Sequence, residues 1–397
     1  MREIKFLVIS DLHTGICHDD NLQSKLNING SVNDYGTSII EFINSLSLKI
    51  DSLICCGDIA NKGCIHSFQA GWKYINQLKS ELNIPNLLCV PGNHDHQSRS
   101  DNIKNGFSPK HSLQCCQPSF PFEDFEKNTH FWAWNWTYVE HSYFNSFLLN
   151  TSAYHGYGEE YKHGRVAIDV SKQILDYISK SGKIQQKPFN LLLCHHHPEK
   201  MEHIDEDSDY EQMDGGQFLL KNLQELDVGP WFIIHGHKHF ASISYASSST
   251  NTPPTILSAG SLSAVLYDEI KSRTSNQFYI ITINLDKTEE SGRVVGTFNT
   301  YEFNKVKGWQ PSKSNNLPAV GGFGSLITPQ MIINKLSTLL NSSNTFIEGG
   351  ELDEILTMIE NYTPKELDSL IKKLEQNTYA ISRDDNNKII QIGFKNA

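Results

Sequence analysis

The sequence predicts an α+β chain: a large mixed domain over residues 1–308, a linker over 309–325 and a small helical module over 326–397. Three observations carry this. Five apolar runs of strand length each stop abruptly in a cluster of Asp, Asn or His, as buried strands do when they deliver side chains to loops on a rigid scaffold. Between the runs lie segments whose apolar residues recur at helical spacing. Beyond Ser325 this grammar gives way to three helical patterns and a short hairpin.

The elements follow in order. Ile4–Ile9 reads as a buried strand and ends in Ser10-Asp11-Leu12-His13. Two strand residues separated by one point to the same side, so Asp11 and His13 can converge on one ion. Thr37–Leu48 has helical spacing. Ser52–Cys56 is a second strand, closed by Gly57-Asp58 with the carboxylate at the strand's carboxyl end. Phe68, Trp72, Ile75, Leu78 and Leu82 mark one face of a helix and read as a core stripe. Asn86–Val90 is the third strand. It stops at Pro91-Gly92 and presents Asn93, His94 and Asp95 at once.

Residues from Gln97 to about Asn150 read as irregular, broken by Pro109, Pro118 and Pro121. Within them Phe131–Trp136 alternates, which predicts a strand with one aromatic face over a satellite core. Ile168–Ile178 and Gln217–Leu226 are helical. Phe189–Cys194 runs into His195-His196-His197-Pro198, and Trp231–Ile234 into His235-Gly236-His237-Lys238-His239. Pro254–Leu257, Gln277–Ile283 and Thr297–Phe303 read as strands that close the sheets.

Bulk properties narrow the classes. A net charge of −11 argues against a surface built for broad contact with nucleic-acid backbones. No apolar stretch is long enough to span a membrane. The eight cysteines contain no Cys-x-x-Cys, and four sit in or beside apolar runs, so a reducing, cytoplasmic setting is expected rather than a disulfide framework. A secretory signal is not expected either, because cleaving one would remove Asp11 and His13.

Asp11, His13, Asp58, Asn93, one of the histidines 195–197, His237 and His239 make a nitrogen and oxygen donor set without sulfur. Such donors suit Mn, Fe, Zn or Ni. Seven are too many for one tetrahedral ion. They suit two divalent metal ions that share a carboxylate, clamp a phosphoryl oxygen and lower the pKa of a bridging water to that of a usable nucleophile.

The ordered series Asp-x-His, Gly-Asp, Gly-Asn-His-Asp, His and Gly-His-x-His resembles the calcineurin-like metallophosphoesterase superfamily over roughly Met1 to Phe303. The resemblance implies a four-layer αββα sandwich with the site at strand carboxyl ends. It implies that Asp11, His13, Asp58 and His239 hold one metal, that Asp58 bridges, and that Asn93, His196 and His237 complete the second. His196 is selected by the family's His-x-Pro spacing. His94 is implied to contact the phosphate and assist the leaving oxygen. Asp95 is implied to orient His94. His235 has no ligand role in that pattern and reads as a satisfied structural histidine or as a group supporting a ligand. Asn61-Lys62-Gly63 stands where the family's protein phosphatases carry Arg-Gly, and the third motif ends in Asp95 rather than Glu. The pattern looks more like bacterial small-molecule phosphodiesterases. A phosphodiester or phosphomonoester of a nucleotide-like small molecule is the expected substrate; the alternatives are a metal-dependent nuclease and a regulatory interaction protein that retains the metal site. The substrate is expected to be read by the irregular insertion and the loop 199–216.

In the tail, Thr328-Pro329, Gly350–Tyr362 and Thr363-Pro364-Lys365-Glu366 open or carry three helices, and two alternating runs flank Arg383–Asn387. The arrangement resembles a winged helix. With seven basic against ten acidic side chains from Leu326 onward, it is expected to bind a protein partner or self-associate rather than read DNA.

Overall fold

The computed structural model describes residues 2–16, 23–97, 108–156, 163–201, 212–248, 252–268, 270–314, 316–384 and 389–395. Most of the 199–216 loop and the tip of the C-terminal hairpin therefore lie outside the described residues. The elements run as follows: β1 (Glu3–Ile9), the short pair β2 (Ile28–Asn29) and β3 (Ser31–Val32), α1 (Asp34–Ser45), β4 (Ser52–Cys55), α2 (Ile65–Glu81), β5 (Asn86–Cys89), α3 (His111–Gln114), α4 (Phe125–Trp134), β6 (Trp136–Glu140) and β7 (Phe144–Leu149). Then come α5 (Ile168–Lys180), β8 (Phe189–Leu193), α6 (Gly216–Gln224), β9 (Trp231–His235), β10 (Ser242–Tyr245), β11 (Thr255–Ser258), β12 (Gln277–Asn284), α7 (Leu285–Ser291), β13 (Gly296–Asn304), β14 (Gly308–Pro311) and β15 (Val320–Phe323). The tail holds α8 (Pro329–Leu339), β16 (Phe346–Ile347), α9 (Gly349–Ile359), α10 (Pro364–Gln376), β17 (Tyr379–Arg383) and β18 (Ile389–Phe394).

Two sheets pack face to face. One has the order β14-β13-β12-β1-β4-β5, with β15 also on β13; the other is β10-β11-β9-β8-β7-β6. Strands β1, β4 and β5 are mutually parallel, as are β7, β8 and β9, so each sheet sends its carboxyl ends to one edge. Being covered on both faces, these strands are continuous apolar runs rather than alternating ones. Alternation still sorts their side chains. Leu191 and Leu193 of β8 join the inter-sheet core, while Leu192 and Cys194 face α5 and α6. Phe6 meets Phe144 and Phe189 edge-on across the interface, at ring separations of 5.3 and 6.3 Å. The outer face of the first sheet is covered by α1 and α2 through Ile39, Ile43, Phe68, Ile75 and Leu78. The result is the expected four-layer αββα sandwich. At its site end Cys55, Cys56, Cys89 and Cys194 are buried free thiols. Burial pushes Cys194 up to about 12 and holds Cys56 and Cys89 well above the usual thiol range.

Three expectations are corrected. Residues 131–134 are helical, not a strand. Asp124 caps α4 by accepting from the Lys127 amide, and the i, i+3, i+4 set Asn128, Phe131, Trp132 turns inward. Phe131 packs on Trp132, and Trp132 on Phe120, which in turn meets Phe68 and Trp72 of α2. Their role as packing residues holds. Second, β7 is a fully buried central strand inside the stretch read as irregular. Third, 309–325 is not a bare linker: β14 and β15 both pair with β13.

The tail has its own core, with Ile332, Leu336, Ile355, Leu370, Leu374 and Ile392 buried together. Its third helix opens on the expected capping box: the Glu366 amide donates to Thr363 Oγ1, and the Thr363 amide to Glu366 Oε2. Three helices and the sheet β16-β18-β17 complete it. It docks at the amino ends of β1 and β9, away from the motif-bearing loops. There Gly322 N–H donates to Tyr362 C=O (3.2 Å), Asn361 Nδ2 to Gly296 C=O (3.0 Å) and Tyr245 OH to Glu366 Oε2 (3.3 Å).

A chain ending at Ser325 should therefore keep one cooperative unfolding transition. One ending at Gly308 loses Phe323, which is fully buried and stacked on Phe232 at 5.5 Å. It should be less stable by about 3–5 kcal/mol, the range for removing a core Phe. Urea unfolding of both chains, with equal midpoints, would refute this.

Candidate metal centre

The motif-bearing loops meet where the carboxyl ends of the two sheets face each other. Asp11 and His13 follow β1, Asp58 follows β4, Asn93 and His94 follow β5, and these come from the first sheet. His195 follows β8 and His237 and His239 follow β9, from the second. Loop is stitched to loop by main-chain bonds: Asp11 N–H to Gly57 C=O, His13 N–H to Asp58 C=O and Gly236 N–H to His195 C=O. Asp11, His13, Asp58, His237 and His239 all have positive φ, between 47° and 78°. For residues other than glycine that conformation costs on the order of 1–3 kcal/mol each and persists only where the surroundings over-determine it. Two glycines permit the crowding. A Cβ on Gly92 would meet Asp58 Oδ1 at 2.1 Å, and one on Gly236 would meet Ser10 Oγ at 2.1 Å.

Two donor groups result. In the first, one atom each from Asp11, His13, Asp58 and His239 lies within 4.8 Å of the others, all buried. His13 Nε2 is 3.2 Å from His239 Nε2, and His239 Nε2 is 3.3 Å from Asp11 Oδ1. In the second, Asn93 Oδ1 receives His195 Nε2 at 3.1 Å and His237 Nδ1 at 3.2 Å. Asp58 Oδ2 stands between the groups, 3.5 Å from His13 Nε2 and 3.4 Å from His195 Nε2. Its other oxygen accepts the His94 amide at 2.7 Å. The donor set is hard to borderline and shares one carboxylate, so it fits a dinuclear divalent metal site.

Electrostatics follow from this packing. Burial raises Asp58, but the charges of His195, His94 and His13 outweigh it and hold the carboxyl well below the usual range. Asp11 is likewise lowered, burial being overcome by His239. Burial opposes a charge on His195, yet Asp58 and Asp11 raise it to about 9. Burial and then His94 bring His13 down to about 3.

In the second group it is His195, beside the expected His196, whose Nε2 reaches both Asp58 and Asn93. The His-x-Pro spacing does not settle which ring faces the donors, because β8 stops at Leu193 and beyond it no strand period sets side-chain direction. The carbonyl of Cys56 accepts from His195 Nδ1–H at 2.7 Å, which leaves Nε2 facing the other donors. His196 is close by, its ring 4.4 Å from that of His237, and it forms a three-histidine cluster with His195 and His237. Burial and the neighbouring imidazoles hold it well below its ordinary pKa. His235 is buried, with its Nδ1 3.1 Å from Gly236 C=O.

Asp95 does not touch His94. Its two oxygens accept from Ala60 N–H (2.7 Å) and Gly92 N–H (2.8 Å), tying the second motif to the third. Burial, then Asp58, lifts its pKa to about 8 against those two bonds. Asn61 reaches His94 instead: its Oδ1 lies 3.2 Å from His94 Nδ1, which the Lys62 N–H also approaches at 3.4 Å, and its amide nitrogen bonds Gln23. Sequence reading passed over Asn61, three residues beyond Asp58, because its contact is long-range. Tyr267 was missed too. Half exposed, it stacks on His239 at 5.3 Å.

Among solved structures, the chain is similar to a purple acid phosphatase from the seeds of yellow lupin (Lupinus luteus), at 13% identity and TM-score 0.47 over 78% of this chain and 53% of that one. It thus spans about half the length of the lupin protein. It is also similar to a dimetal phosphatase from Danio rerio, at 14% identity and TM-score 0.41 over 70% of this chain and 95% of that one. No curated protein matches it. The sequence model of the calcineurin-like phosphoesterases matches residues 4–241, more than half of the chain and all five motifs, and the chain accordingly belongs to that family of phosphoric ester hydrolases.

Proposed function

We propose that the enzyme hydrolyses a phosphodiester or phosphomonoester of a nucleotide-like small molecule with two divalent cations, Mn, Fe, Zn or Ni. One would be held by Asp11, His13, Asp58 and His239, the other by Asp58, Asn93, His195 and His237. The observation that carries this reading is the position of Asp58 Oδ2, within 3.5 Å of a ring nitrogen from each group. Bound there, the cations supply charge to the phosphoryl oxygens and acidify a water molecule. The remaining work falls to side chains. His94, positioned by Asn61, donates a proton or a hydrogen bond to the leaving oxygen. Asp95 holds the loops of the second and third motifs together. Tyr267 offers a half-exposed ring at the rim, which suits a base or another flat leaving group. The net charge of −11 favours a small substrate over a polynucleotide.

The C-terminal module, winged-helix-like and acidic, serves on this reading as a site for a protein partner or self-association. Buried free thiols support a reducing, cytoplasmic setting. Among the described residues no helix is long and apolar enough to cross a membrane.

The direct test is a phosphoester library of monoesters, linear diesters and cyclic diesters offered to the manganese-loaded chain. Stoichiometric metal with no ester cleaved would sink the proposal. Asp58→Asn should lower metal content and cut turnover by about a thousandfold or more. His94→Ala should keep both metals yet lose about 10²–10⁴ in kcat. Asn61→Ala should cost roughly 10–100-fold with metal unchanged, the scale for a residue acting through another. Metal loss in His94→Ala would contradict its role.

Metal binding should also release protons at pH 7. His195, raised to about 9 in the metal-free protein, is charged there and must lose a proton to become a ligand. Affinity should therefore rise with pH through neutrality towards pH 9. Calorimetry in buffers of different ionisation enthalpy measures the release, and a buffer-independent heat would count against His195.

A further inference from the structure

His196 is fully buried beside the second donor group, and its two ring nitrogens differ. Nδ1 lies 2.8 Å from Thr151 Oγ1. Nε2 has no hydrogen-bond partner among the described residues. Thr151 Oγ1 also accepts the His196 main-chain N–H at 3.2 Å. Thr151 is itself fully buried, and both contacts of its hydroxyl go to His196. A hydroxyl has one hydrogen to give. Among the described residues the only acceptor for it is His196 Nδ1; the opposite tautomer would leave a buried O–H unsatisfied, at a cost comparable to a lost hydrogen bond. Nδ1 is thus the acceptor and Nε2 carries the hydrogen.

The neighbouring His195 is the reverse. A carbonyl can only accept, so its Nδ1 bears the hydrogen given to Cys56 C=O, and once the proton facing Asn93 Oδ1 is lost its Nε2 can offer a lone pair. Adjacent histidines are thereby set to opposite tasks: His195 can bind a cation through Nε2, and His196 presents an N–H.

That N–H is held in place. A ring nitrogen of His196 lies within 4.8 Å of ring nitrogens of His195 and His237. On another side the His155 ring lies at 24° to it with centroids 5.3 Å apart. The Gly164 backbone leaves no slack, since a Cβ there would meet His196 Cγ at 2.2 Å. A fixed donor with no partner inside a low-dielectric site is what stabilises developing negative charge on an oxygen.

We infer that His196 is a substrate-binding residue: its Nε2–H donates to a non-bridging phosphoryl oxygen on the His195 and His237 side, and Thr151 is the positioning residue that sets its tautomer. The inference rests on the phosphoesterase reading for its ligand but not for its tautomer, and the two can fail separately.

The test uses the full chain loaded with manganese. Inorganic phosphate is the probe, measured by calorimetry beside metal content and steady-state kinetics on an aryl phosphoester. His196→Phe should retain two metals per chain and bind phosphate about tenfold or more weakly, as expected for losing a hydrogen bond to a charged group. His196→Gln, which restores an N–H near the Nε2 position, should recover most of that affinity. Thr151→Val should fall between, and Thr151→Ser should restore native binding. His195→Ala, by contrast, should lose a metal equivalent. Loss of a metal equivalent in His196→Gln, or unchanged phosphate binding in His196→Phe, would overturn the inference. If the Phe variant does not fold, ¹⁵N shifts of labelled histidine in the native chain decide. An Nε2–H signal at His196 supports the proposal, and an Nδ1–H signal ends it. A native chain that binds phosphate with this tautomer but cleaves no ester would leave the binding role standing and refute the catalytic reading alone.

Discussion

Asp58 is a carboxylate taken almost wholly out of water at the seam between two sheets. A buried charge is tolerated only where it is paired and hydrogen-bonded. Its partners come from three other loops: the His94 amide, the His13 imidazole and the His195 imidazole. Those loops are within reach because Phe6 packs on Phe144 and Phe189, fixing the separation of the sheets below them. The strained backbone at Asp11, His13, Asp58, His237 and His239 is sustained by the same packing. Removing Asp58 thus leaves the two donor groups without the carboxylate they share, Asp11 remaining on one side only, whereas the sheets beneath have no part in that contact and should stand.

What could be read in advance follows from range. A strand covered on both faces must be apolar along its length, and its end must be polar if it carries function. Hence β1, β4, β5, β8 and β9, with their motifs, are visible as runs with abrupt ends. β7 obeys the first half of that rule but lacks the second: it ends in Asn150-Thr151, which resembles any loop. The aromatic run at 131–136 fits two periods, and only the Asp124 cap and the Phe120 pocket choose the helix. At 195–197 the strand has already ended, so neither strand period nor the His-x-Pro spacing encodes which ring turns to the donors. Asn61 and Thr151 act on residues 33 and 45 positions away, a relation that no local pattern encodes.

The two ends of the sandwich carry different loads. Loops at the carboxyl ends are crowded with imidazoles and carboxylates, and their packing leaves no room for a Cβ at Gly92, Gly164 or Gly236, where one would come within 2.2 Å of a side chain. At the opposite end the tail is attached by a handful of hydrogen bonds and the Lys287–Glu360 pair at 3.3 Å, an exposed ion pair that contributes little. Changes in the tail's surface can therefore alter what it contacts without a direct path to the donor groups.

The four buried cysteines at the site end have a consequence for metal selectivity. Cys56 turns its carbonyl, not its sulfur, toward His195, and burial keeps its thiol, with those of Cys89 and Cys194, protonated far beyond neutral pH. A protonated thiol is a poor ligand and a poor nucleophile. Soft, thiophilic ions and mild oxidants accordingly gain no foothold beside the centre while the fold is closed. Poisoning by such agents should track local opening of the strand ends, so the time a sample spends partly unfolded, rather than the agent's concentration alone, should set how fast it is lost.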